Sequence, residues 1–101
     1  MSTVAQLELE YRRLCMLKVL AEAPNQVAYE GLIQSALQRF GHWPGREEIQ
    51  ADLDWLADKG LVRNEKHASD TRTSYIATLT DKGLATSEGR LTVAGVRRPT
   101  H

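Results

Sequence analysis

The chain has 101 residues, with 13 Lys+Arg against 13 Asp+Glu and a formal net charge of zero. That length supports one hydrophobic core and excludes two, and 42% hydrophobic with 26% charged residues excludes global disorder. A single cysteine excludes an internal disulfide framework and fits a reducing, cytoplasmic setting.

The longest strictly apolar run, Leu14 to Leu17, predicts no membrane span, and the N-terminus does not read as a signal peptide. Zero net charge also withholds the simplest argument for nucleic-acid binding, a basic domain. The distribution of charge has to decide.

Thr3 to about Glu22 has no Gly or Pro and predicts a long helix. Thr3 and Gln6 have capping-box spacing, and Leu7, Tyr11, Leu14, Met16, Leu17 and Leu20 form its apolar stripe. Such a helix spans about 30 Å, more than a domain of about 13 Å radius of gyration covers from one side. Its first turns, with Val4, Leu7 and Tyr11, are therefore either a surface-lying end or a homodimerisation arm.

Ala23-Pro24-Asn25 ends that helix, and a second is predicted from about Val27 to Phe40. Tyr29, Leu32, Ile33, Ala36, Leu37 and Phe40 give it an inward face without gaps, and Gly41 suits a left-handed C′ position. His42-Trp43-Pro44-Gly45 is a turn, with His42 read as a turn histidine against an aromatic. Arg46 to Lys59 form a third helix, with Ile49, Leu53, Leu56 and Ala57 inward and Gly60 as its stop.

The period then changes. Leu61–Lys66 and Thr73–Leu79 are short, β-prone and separated by a polar loop, which predicts a hairpin. Thr80-Asp81 offers an N-cap for a short helix near Lys82–Ser87. Gly89–His101 is a basic tail in which Leu91-Thr92-Val93 could pair as a strand.

Helix, helix, short turn, helix and hairpin is the order of a winged helix-turn-helix. The expected fold is α+β, mainly helical: three helices, a two-stranded wing, a short fourth helix and a basic tail, with residues 1–88 the domain and 89–101 the tail. Leu53-x-x-Leu56-x-x-x-Gly60-Leu61-Val62 is the most specific local signal. Two leucines seat the third helix, Gly60 closes it and Leu61-Val62 begin the wing.

Arg12-Arg13-Leu14, Leu32–Leu37 with Phe40-Gly41-His42, Asp52-Leu53-x-Trp55-Leu56 and Gly89–Pro99 together resemble a small family of Mu-like phage and prophage proteins, often labelled ArsR-like transcriptional regulators. The resemblance spans nearly the whole chain. It implies a phage or prophage gene product in the cytoplasm of a bacterial host, and it supplies no activity.

In helix-turn-helix proteins the recognition helix reads base edges in the major groove. Here the third helix carries Arg46 and Lys59 against Glu47, Glu48, Asp52, Asp54 and Asp58, a net −3. Carboxylates face duplex DNA favourably only where they accept from cytosine N4. Arg46 and Gln50 are the base-reading candidates.

The wing, with Arg63, Lys66 and Arg72, is net +1, and the tail, with Arg90, Arg97 and Arg98, is net +3. Both suit phosphate or minor-groove contact, and Arg12 and Arg13 could add a basic patch on the first helix. Double-stranded DNA is thus one expected partner. A basic protein docking on Glu47, Glu48 and Asp54 is the alternative. No nucleophile–base constellation, phosphate loop, metal cluster or cofactor motif is present, so no enzyme is expected, and Cys15 reads as a buried structural thiol.

Overall fold

A computed structural model describes residues 3–100; Met1, Ser2 and His101, each inside a predicted segment, lie outside the described residues. Helix α1 runs Val4–Glu22 and opens on the expected capping box. The Gln6 amide donates to Thr3 Oγ1 at 3.1 Å and the Thr3 amide donates to Gln6 Oε1 at 2.8 Å. Four consecutive residues, Leu14, Cys15, Met16 and Leu17, are all buried. The helix therefore passes through the core instead of resting one stripe on it. Its first turns do project, with Val4 and Leu7 exposed.

The second segment departs from expectation. Ala23 is extended before Pro24, and Asn25 and Gln26 take positive φ, which turns the chain into a short strand, β1 (Val27–Tyr29), before helix α2 (Glu30–Arg39). Val27 and Tyr29 suit a pleated edge, and strand β3 (Thr73–Leu79) has an open side for them. The apolar face consequently splits. Ile33 and Leu37 are fully buried, whereas Tyr29, Leu32 and Phe40 are exposed.

Helix α3 (Arg46–Asp58) begins where Glu48 Oε1 accepts the Gly45 amide proton at 3.0 Å. It buries Ile49, Leu53 and Leu56 as predicted. Gly41 and Gly60 close α2 and α3 at φ of 84° and 77°, each with a following amide bonded back into the last turn.

Strand β2 (Val62–Ala68) pairs antiparallel with β3 from Val62↔Leu79 to Ala68↔Thr73, and β1 adds to the other side of β3 through Ala28↔Ala77. The sheet is three-stranded, in the order β1-β3-β2. Helix α4 (Asp81–Ser87) is capped by Thr80, whose hydroxyl accepts from the Gly83 amide at 3.0 Å.

Among the described residues, four α-helices and a three-stranded antiparallel sheet in this order are consistent with a winged helix, with one strand more than the hairpin predicted. Residues 91–93 form no strand. The tail lies along α1 as an irregular strap, with the Arg97 amide donating to the Glu10 carbonyl at 3.2 Å and Val96 buried in the core. Gly95 is required there, because a Cβ would come 2.5 Å from the Trp55 ring.

Candidate nucleic-acid interface

The outward line of α3 is acidic. Glu47, Ala51, Asp54 and Asp58 are all exposed and their spacing sets them on one solvent-facing stripe. Arg46 and Gln50, the expected base readers, turn the other way, toward a buried carboxylate at the start of α2. Arg46 Nε lies 3.3 Å from Glu30 Oε2, and Gln50 Nε2 lies 3.1 Å from both Glu30 oxygens.

The Tyr75 backbone amide donates to Glu30 Oε1 at 2.9 Å, and Arg46 and Gln50 both donate to the Thr73 carbonyl. One carboxylate thus ties α2, α3 and the wing together. Sequence reading missed Glu30. It sits at a strand–helix junction that periodicity alone merged into one helix.

The remaining polar side chains near α3 are also largely committed. Asp54 accepts from the Tyr75 hydroxyl at 3.1 Å and pairs with Lys66 Nζ at 3.5 Å. The Tyr75 side chain and the Asp54 charge hold Lys66 above the usual lysine range. Asn64 Nδ2 donates to the Leu53 carbonyl at 2.9 Å, pinning β2 to α3.

Arg12 and Arg13 form no surface patch, contrary to expectation. Arg12 Nε reaches the buried Asp52 at 2.6 Å and Nη1 reaches Glu48 at 3.5 Å. Burial alone would lower the Arg12 pKa, but the bond to Asp52 and the surrounding carboxylates raise it. Arg13 stacks 3.9 Å over the Trp55 ring and donates to the Gly95 carbonyl at 3.0 Å, and burial pushes it below the usual arginine range. Both arginines point toward α3 and the tail because their acceptors and ring lie there.

Two of the cations left unpaired are on the wing. Arg63 and Arg72 are exposed and in no ion pair among the described residues. Along β2, Asn64 and Lys66 face α3, so Arg63, Glu65 and His67 face outward. Arg72 shares a groove of about 350 Å³ with Arg46, His67, Tyr29 and Glu30.

In the tail, Arg90 Nε donates to Glu88 at 2.9 Å and Arg97 lies 4.9 Å over the Tyr11 ring. Arg98 is exposed, without an ion pair among the described residues. Of the predicted dimerisation set, Val4 and Leu7 stay exposed. Tyr11 is engaged by Arg97 and sets its ring edge-on to His42, 5.1 Å away. His42 thus packs on Tyr11, while Trp43 is exposed.

Burial raises the Cys15 pKa, which keeps that thiol protonated. No group of three metal-ligating side chains occurs among the described residues, and no described helix is long and apolar enough to cross a membrane.

No family model matches the chain. It is similar to two solved structures, of hsRosR-S1 and hsRosR-S4 complexes, each at 28% identity. The first has a TM-score of 0.60, covering 82% of this chain and 70% of that one. The second has a TM-score of 0.55, covering 86% and 65%.

An uncharacterized protein of Haemophilus influenzae is 36% identical over 55 residues, 54% of this chain and 53% of that protein. The uncharacterized protein gp26 of Escherichia phage Mu is 40% identical over 90 residues, 89% of this chain and 88% of gp26. None of these names carries the ArsR-like designation that the resemblance implied. With that identity over nearly the full length of both proteins, the chain belongs to the family of phage Mu gp26.

Proposed function

We propose that the chain is a non-enzymatic, DNA-binding winged-helix protein of phage or prophage origin, a transcriptional regulator or DNA-associated accessory factor of the bacterial host cytoplasm. The observation that carries this reading is the pair Arg63 and Arg72. They are cations without an ion pair among the described residues, on a wing that Glu30, Asn64 and Asp54 lock onto α3. Rigid placement of cations on a strand and a loop suits backbone contact with a duplex, which sets register without reading sequence. Arg98 is a further exposed cation, on the tail where it runs beside Tyr11 and Phe40. The likeness to the hsRosR structures supports the same fold-level role.

A mobility-shift titration of the purified chain on phage DNA at two salt concentrations tests the reading. Binding weakens as salt rises, because phosphate contacts release counterions. In the double variant Arg63→Ala/Arg72→Ala the affinity falls about tenfold and the salt slope about two, near one per lost phosphate contact. Absence of binding at low salt, by a folded protein, overturns it.

A second reading draws on the stripe of Glu47, Asp54 and Asp58 with Glu48 beside it: docking of a basic protein partner, such as a packaging, assembly or host factor. Charge reversal of Glu47, Glu48 and Asp54 to Lys would then remove that partner from a pull-down. An unchanged set of captured proteins would reject this reading.

A further inference from the structure

We infer that the flank of α2 is a homodimer interface, in which Phe40 of each copy inserts into the groove beside Phe40 of the other and Glu22 pairs with the partner's Arg39. The surface begins from the split apolar face of α2. Leu32, Ala36 and Phe40 recur every fourth residue and form one ridge of the helix. That ridge flanks the row of Ile33 and Leu37, which fill the core.

Leu32 and Phe40 are 41% and 44% exposed, although nothing in the nucleic-acid reading uses them. Beside them the ridge and the C-terminal turn of α1 enclose a groove of about 310 Å³, floored by Val19, Ala23, Leu32 and Ala36. Phe40 stands between this groove and two others that it also lines.

A protruding aromatic and an apolar slot on one patch are what a two-fold contact requires, since the same surface must supply both halves. The rim points to the same occupant. Glu22 and Arg39 both edge the groove, both are exposed, and neither forms an ion pair among the described residues. One acid and one base flanking an apolar centre are complementary to a two-fold copy of themselves. A foreign partner would need only the opposite of whatever the patch carried.

Interdigitating fourth-residue ridges pack at a crossing angle of about 50°. The interface leaves Arg63, Arg72 and the outward stripe of α3 uncovered, and it stands independently of DNA binding. It moves the expected dimer contact from Val4, Leu7 and Tyr11 on α1 to the α1–α2 groove.

Sedimentation equilibrium of the full chain tests it. The wild type is expected to show a reversible monomer–dimer equilibrium. Phe40→Glu raises the dissociation constant about a hundredfold, because both copies lose a central anchor, with an unchanged circular dichroism spectrum.

Arg39→Glu weakens the dimer about tenfold, and adding Glu22→Arg to it restores affinity to within about threefold of wild type. That rescue reads the pairing itself and does not depend on Phe40→Glu folding. A monomeric wild type, a dimer indifferent to Phe40→Glu, a charge swap without rescue, or a dimer abolished by Leu7→Glu each overturns the inference.

Discussion

Helix α3 and the wing use their charges in opposite ways. On α3 the one arginine and the one glutamine are turned inward to Glu30, and the outward stripe is left acidic. On the wing, Lys66 is tied to Asp54 while Arg63 and Arg72 stay unpaired among the described residues. The fold therefore consumes donors where a recognition helix would present them, and it presents cations where a wing would grip phosphate. In a chain of zero net charge, what matters is which charges the fold has already used.

The strongest way to break this comparison is to remove Glu30. Its side chain is 10% exposed and accepts from three separate residues, so Glu30→Ala leaves the buried Tyr75 amide without an acceptor and takes from Arg46 its carboxylate partner. A loss of about 3 kcal/mol in denaturant unfolding is expected. Hydrogen exchange should show the wing strands opening ahead of α1. A loss below about 1 kcal/mol would mean that Glu30 is incidental to how the wing is held.

How much of this was legible in the sequence depends on the range of the interaction. The capping box at Thr3, the closure at Gly60 and the span of β3 rest on neighbours a few residues apart, and local pattern reached them. β1 was not reachable in that way. Val27–Tyr29 continues an apparently helical apolar period, and only the open side of β3, some 50 residues away, turns it into a strand. The site failed for a similar reason. Arg12, Arg13, Arg46 and Gln50 look like surface donors in sequence, and their acceptors Asp52, Gly95 and Glu30 lie far along the chain. Of the three wing cations read from the sequence, Arg63 and Arg72 are exposed and in no ion pair among the described residues, whereas Lys66 turns to Asp54 on α3.

A smaller effect sharpens the comparison from the α3 side. Glu47 and Asp58 are exposed and unpaired among the described residues, so Glu47→Gln/Asp58→Asn should leave stability within about 0.5 kcal/mol of wild type. If the acids merely repel a duplex held by the wing, DNA affinity rises about threefold at low ionic strength and less at higher salt. A tenfold fall would show that the carboxylates accept from cytosine, the one favourable contact open to them, and would make α3 a reader after all.

The smallest expected effect separates the α1 side of the molecule from the wing. Burial lowers the pKa of His42, with Arg12 acting in the same direction and Glu8 against it, and its buried Nε2 has no hydrogen-bond partner among the described residues. The native imidazole therefore resists a proton that the unfolded chain accepts at its ordinary value of about 6.5. Between the lowered native pKa and that value, the unfolded state binds more protons, so stability rises with pH across the window.

The His42 contribution is complete above about pH 6.5, and falling pH removes it until the native pKa is passed. Thermal unfolding of wild type and His42→Leu across this range isolates the component, because the carboxylates common to both proteins cancel in the difference. Wild type should lose stability relative to His42→Leu as pH falls below about 6.5. A gap that stays constant would mean that His42 already holds a proton or exchanges it freely with solvent. The edge-on contact with Tyr11 would then be carrying a charged ring, and the polar map of α1 would have to be redrawn around it.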